Sequence, residues 1–131
     1  MIRQGEPVFV DSGAWIALAL SRDPLHAQGA AGARLRTSVP VVIETFTFLD
    51  RNANRDVALA WKDSAARPGT LNILPCDLRD LQRSWEYFRR GDLHKLSAVD
   101  ATSFAIMKRA RIRLAYTFDH HFAVVGFRMV S

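Results

Sequence analysis

The sequence predicts an α/β domain in which a parallel sheet is covered on both faces by helices. Short apolar or β-branched runs alternate with longer helical segments, Gly and Pro are spaced like the joints between them, and no internal repeat or long linker interrupts the alternation. At 131 residues the chain matches one core, so residues 1–131 are expected to form a single domain.

Each element has a local reason. Pro7–Val10 reads as a short strand ending at Asp11, and Ser12–Leu20 continues with helical apolar spacing. Asp23–Pro24 opens a second helical stretch, Pro24–Leu35, with proline at the first-turn position it tolerates, although Gly29 and Gly32 weaken it. A brief extended piece follows around Thr37. Ser38 and Pro40 start a helix to about Asp50 that is apolar on nearly every side from Val41 through Leu49, which predicts burial. Asn54 caps a helix to about Ala66, and Pro68–Gly69 ends it. Thr70–Pro75 reads as a strand, and Asp77 then caps an amphipathic helix to about Arg90, closed by Gly91. Ser97-Ala98-Val99-Asp100 is a capping box before the apolar run Ala101–Met107. Leu114–Phe118 is a strand ending at Asp119, and Gly126–Val130 is a last short strand.

Composition excludes several classes. With 49% hydrophobic and 24% charged residues the chain is not disordered as a whole. Its longest apolar runs, Pro40–Ile43 and Ala14–Leu20, fall short of the ~18 residues that span a bilayer, and Asp11 breaks any signal-peptide core. The single cysteine, Cys76, makes neither an internal disulfide nor a cysteine-based zinc site, which leads to the expectation of a reducing, cytoplasmic location. Lys and Arg total 18 against 13 acids, a net charge of +5. That excess suits a polyanion, but a GC-rich genome explains high arginine equally well.

Four of the acids stand in places that solvated ion pairs do not explain. Asp11 and Asp119 each end a strand, so a parallel sheet sets both at its carboxyl edge, where α/β folds bind ligands. Glu44 and Asp100 lie in the first turns of mostly apolar helices, costly positions for a charge. Helix capping accounts for Asp11, Asp119 and Asp100 taken singly, but not for Glu44, whose helical neighbours are Pro40, Val41, Thr47 and Phe48. A shared cation relieves the cost for all four, and oxygen-only ligands select Mg²⁺ or Mn²⁺ over zinc.

The stretches VFVDSGAWIAL, VVIETFTFL, LSAVDATSFAIM and AYTFDHHF resemble, in order and spacing, the four signature segments of PIN-domain ribonucleases, in particular the VapC-type toxins of prokaryotic toxin–antitoxin pairs. The resemblance runs from Val8 to Phe127. It implies a three-layer α/β/α sandwich with a central parallel sheet, and one pocket in which Asp11, Glu44, Asp100 and Asp119 bind Mg²⁺ or Mn²⁺ and carry out catalysis. Ser12 and Thr117 match polar positions flanking the first and last acids. Many relatives carry further acids shortly before the third aspartate, where this chain has His94 and Lys95, with Asp92 slightly earlier. The resemblance also implies an RNA substrate, a homodimer and a VapB-like antitoxin whose C-terminal segment lies in an apolar groove and places a basic side chain among the acids. Trp15 and the surface of the first two helices, including His26–Leu35, are the expected groove.

Phosphodiester hydrolysis needs a deprotonated water in line with the leaving oxygen and positive charge beside the non-bridging oxygens, and a carboxylate-held divalent cation supplies both. Asp11 and Asp100 are assigned as the most direct ligands, Asp119 as a ligand or orienter of the water, and Glu44 as a ligand through water or the support of a second metal. Three rival readings stand beside the toxin, of which a housekeeping RNA-processing nuclease would share its chemistry. A phosphatase of the haloacid-dehalogenase type needs a second aspartate where this chain has Gly13, and an RNA-binding or interaction module would need no turnover. Surface or packing roles are expected for His120–His121, and Trp15 and Trp85 are expected in the core.

Overall fold

The computed structural model describes residues 5–20, 34–66 and 71–130. Within them lie the strands β1 (Pro7–Val10), β2 (Arg34–Ser38), β3 (Asn72–Leu74), β4 (Leu114–Tyr116) and β5 (Arg128–Val130). They form one sheet in the order β3-β2-β1-β4-β5, with every neighbouring pair parallel. The central strands β1 and β4 are continuous apolar runs with almost every residue buried, as a strand covered on both faces requires. The edge strands β3 and β5 are short and largely exposed, which limits pairing with other chains.

Helices α1 (Ser12–Leu20), α2 (Val39–Asn52), α3 (Arg55–Ala65), α4 (Leu78–Ser84), α5 (Ala98–Ala110) and α6 (His121–Val124) flank the sheet. Their starts are chemically fixed. Ser38 Oγ accepts from the Val41 amide at 3.3 Å, Asn54 Oδ1 from the Val57 amide at 2.8 Å, and Asp77 and Asp80 form a reciprocal capping box. Helix α5 is buried on most sides, and its Phe104 ring meets Tyr87 at 5.1 Å and Phe122 at 4.9 Å, both edge-to-face. Buried Asp80 accepts two hydrogen bonds from Arg109, at 2.8 and 3.0 Å, which ties α4 to α5.

Several sequence expectations need correction. The helix expected over Pro24–Leu35 lies mostly outside the described residues, and Arg34 and Leu35 belong to β2. The helix from Asp77 stops being α-helical at Ser84 and tightens into a 3₁₀ turn, Trp85–Arg89. Arg90 leaves that turn in an extended conformation, so no left-handed glycine is needed at Gly91. The strand to Phe118 ends at Tyr116. The last strand starts at Arg128, because Gly126 at φ +104° makes the turn out of α6. Helix α2 is not buried all round, since Ile43 is 61% and Phe48 40% exposed. Trp85 is also half exposed, whereas Trp15 is buried against Trp61 with ring centroids 5.9 Å apart.

Candidate active site

The strand order reverses between β1 and β4, and the carboxyl ends of those two strands deliver the first and last acids to the same edge. Asp11 directly follows β1, and its amide donates to Tyr116 O at 3.0 Å, so the ends of β1 and β4 are tied together. Thr117 follows β4, is fully buried, and donates its hydroxyl to Asp11 Oδ2 at 2.9 Å. The Asp119 amide donates to the same Thr117 hydroxyl at 3.0 Å. From the first turn of α1, Ser12 donates its hydroxyl to Glu44 Oε1 on α2 at 2.5 Å. The polar residues Ser12 and Thr117 are therefore the orienting partners of Glu44 and Asp11.

Asp100 enters from the first turn of α5. Ser97 Oγ accepts from its amide at 3.0 Å, but the carboxyl group of Asp100 does not complete the expected capping box. It lies beside Asp119 instead. Asp119 Oδ1 accepts from the His121 amide at 2.9 Å, and the His121 ring Nδ1 lies 3.0 Å from the same oxygen. The nearest ligand atoms of Asp100, Asp119 and His121 all fall within 4.8 Å of one another.

The electrostatics are those of crowded carboxylates. Burial pushes Asp11 up to about 6 against the opposing pull of the Thr117 hydroxyl and the Ser12 amide, and the charges of Glu44 and Asp119 add to the rise. Asp100 is pushed up to about 8, first by burial and then by the charge of Asp11, the Asp119 hydrogen bond and the charges of Asp119 and Glu44. Asp119, despite burial that works the other way, is held below its ordinary value by the Asp100 hydrogen bond and by His121. The charges of Asp11, Glu44 and Asp119 all bear on Asp100, so the four sequence-predicted acids lie close together.

The residues fit a hard cation. The buried Asp11 Oδ1 has no hydrogen-bond partner, an expensive state for a carboxylate oxygen that a cation would relieve. The neighbouring donors are carboxylate oxygens, which suit a hard divalent cation, and one imidazole.

The sequence reasoning missed His121. Adjacent side chains diverge, which is why His120–His121 reads in the sequence as surface or packing residues. His120 is indeed exposed, but the relevant spacing is from Asp119 to His121, two residues apart across a turn that folds the ring back onto the carboxylate. An Asp-x-His run at a strand end was the available signal. Of the expected groove, Trp15 is buried and its indole donates to Thr37 Oγ1 at 3.2 Å. An open cleft of about 740 Å³ runs along α2, lined by Val39, Ile43, Glu44, Phe48 and Val99 among others. The segment His26–Leu35 lies outside the described residues up to residue 33.

Such a fold and pocket define an α/β domain that gathers carboxylates at the switch point of a parallel sheet, an arrangement suited to a divalent cation and an anionic substrate. The chain belongs to the PIN-domain family, which matches it over residues 8–128. It is 36% identical over 128 residues to the 23S rRNA-specific endonuclease VapC20 of Mycobacterium tuberculosis, a match that covers 92% of this chain and 95% of the relative. The crystal structure of that VapC20, described as a sarcin–ricin loop cleaving toxin, superposes with a TM-score of 0.82 at 31% identity, covering 94% of this chain and 98% of the other. VapBC2 from Rickettsia felis bound to promoter DNA shares the fold at a TM-score of 0.75 and 8% identity, covering 95% and 97%. No helix of the described residues is long and apolar enough to cross a membrane.

Proposed function

We propose that this protein is a Mg²⁺- or Mn²⁺-dependent endoribonuclease, the toxin of a toxin–antitoxin pair, and that residues 1–131 work as one nuclease domain in the cytoplasm. The nuclease reading rests on membership of the PIN family and on the likeness to VapC20 over nearly the full length of both chains. The observation that carries the metal-dependent form of it is the gathering of Asp100, Asp119 and His121 ligand atoms within 4.8 Å of one another, together with a buried, unpartnered Asp11 oxygen.

Asp11, Asp100 and Asp119 would hold the cation, with Glu44 acting through water or in support of a second ion. A divalent cation bound there supplies Lewis acidity at the phosphate and lowers the pKa of a bound water. The protein's own part is orientation. Thr117 fixes one oxygen of Asp11 and leaves the other free, His121 fixes Asp119, and Ser12 fixes Glu44. Hydrolysis by water leaves a 5′-phosphate and a 3′-hydroxyl and needs no side-chain nucleophile.

The substrate is RNA, and ribosomal RNA in the manner of the VapC20 relative is the first choice. The partner is a VapB-like antitoxin, and the toxin itself is a homodimer. The cleft along α2 suits the antitoxin's apolar segment, since it opens beside Glu44 and lets a cationic side chain reach the acids. The test is cleavage of purified ribosomal RNA and of a hairpin carrying the sarcin–ricin loop. Scission with Mg²⁺ or Mn²⁺ that stops on adding EDTA is expected, and scission undiminished by EDTA would overturn the metal-dependent reading.

A further inference from the structure

Phe118 stands out at the rim of the acidic pocket. It lies between Thr117, which bonds Asp11, and Asp119, yet its side chain is 58% exposed while Tyr116 and Thr117 are buried. An apolar ring turned to solvent between two site residues gains nothing from the core.

Its backbone is held on both sides. The Asp11 amide fixes Tyr116 O, the Thr117 hydroxyl accepts from the Asp119 amide, and Asp119 Oδ1 accepts from the His121 amide. One ring edge rests near Gly13 on the first turn of α1, where a Cβ would sit 3.8 Å from Phe118 Cδ2. The Tyr116 ring supports it edge-on at a centroid distance of 6.2 Å. Phe118 is therefore a presented ring on a fixed turn, with little ordering cost left to a ligand that stacks on it.

We propose that Phe118 is a substrate-positioning residue that stacks on the RNA base next to the phosphate that a cation bound by Asp11, Asp100 and Asp119 would hold, an inference that rests on the nuclease reading above. A phosphate held there through a cation would bring the adjoining base towards a ring one residue from Asp119. Stacking on an aromatic face needs no hydrogen-bond match, so Phe118 would fix the orientation of the strand and leave base identity to other contacts.

The experiment measures kcat and KM on the sarcin–ricin hairpin for the wild type, Phe118→Ala, Phe118→Leu and Phe118→Trp. Hairpins with single abasic sites scanned around the cut are assayed alongside. Loss of the aromatic ring in the Ala and Leu variants is expected to lower kcat/KM roughly 5- to 150-fold, and Trp to restore most of it. One abasic position should impose the same loss on the wild type and no further loss on Phe118→Ala, a coupling that a merely structural role would not produce. Equal cleavage by wild type and Phe118→Ala, or abasic penalties identical in both, would overturn the proposal. Binding of the labelled hairpin by Asp11→Asn protein, with and without Phe118→Ala, separates the two readings. Ring-dependent binding with no cleavage by the wild type sinks the nuclease reading and keeps the stacking, whereas ring-independent or absent binding sinks the stacking.

Discussion

Asp100 and Asp119 face one another with a carboxylate oxygen of each within 4.8 Å, and they are driven in opposite directions, Asp100 up to about 8 and Asp119 below its ordinary value. Burial and the surrounding negative charges favour a proton on Asp100 when no cation is bound. A divalent cation and that proton compete for the same place.

Asp100→Asn should therefore remove activity while preserving the fold. The amide keeps the shape of the protonated acid, but it cannot act as an anionic ligand. Cleavage should fall on the order of 100-fold or more, because changes to partners outside the ligand set already cost 10–100-fold at metal sites. The melting temperature without metal should match or exceed the wild type. Asp11→Asn should behave likewise, since it also removes a charge from a crowded site. Unfolding of both variants would show instead that these acids serve as structural caps.

Metal-free stability should fall as pH rises from about 4 to about 8. Asp100 and Asp11 hold their protons more tightly folded than unfolded, so their contribution is fully present below the ordinary value of 3.8 and is lost as pH climbs through about 6 and about 8. Added Mg²⁺ should raise the melting temperature more at the upper end of that range. Thermal melts in EDTA and in Mg²⁺ across the series test this, and a wild-type EDTA profile no steeper than that of Asp100→Asn would refute it.

Asp80 carries the opposite sign. Its pKa is lowered: burial alone would raise it, but the Arg109 hydrogen bonds and the Asp77 amide outweigh that effect. Its stabilisation is present above the ordinary carboxylate value and is lost as pH falls through the depressed one. Asp80→Ala removes two charge-assisted bonds and half of a capping box, and should cost about 3 kcal/mol in denaturant titrations near neutral pH. Catalytic rates in native buffer should stay close to wild type, because Asp80 packs between α4 and α5 and none of its bonding partners is a pocket acid.

These contrasts show what was legible in the sequence. Asp11, Glu44, Asp100 and Asp119 were readable because each is a carboxylate in an apolar run, an anomaly local to a few residues. The parallel sheet was readable because β1 and β4 are short runs bounded by turn residues. Asp80 was not, since an acid three residues after Asp77 reads as a first-turn helix residue, and only the fold brings Arg109 to it across 29 positions. The exposed flank of α2 was equally hidden: Ile43 and Phe48 have the composition of core residues, and their exposure is decided by which neighbours the tertiary structure supplies.

That flank yields the last prediction. Ile43 and Phe48 leave apolar surface open along the cleft that begins at Glu44, so an antitoxin segment lying there would bury both and bring its cationic side chain to the acids. The cation of the partner and the metal would then compete for the same carboxylates, which makes their binding mutually weakening by linkage. Ile43→Asp should leave the chain folded and active, because its side chain is mostly in solvent, but should lower affinity for the antitoxin roughly 10- to 100-fold, the loss expected when a buried apolar contact is replaced by an unpaired charge. Calorimetric titration of the VapB-like antitoxin into the wild type and the variant, with and without Mg²⁺, measures both effects. Tight binding that ignores Ile43→Asp would move the docking surface elsewhere. Affinity for the partner independent of Mg²⁺ would mean that its basic residue never reaches Asp11, Asp100 and Asp119.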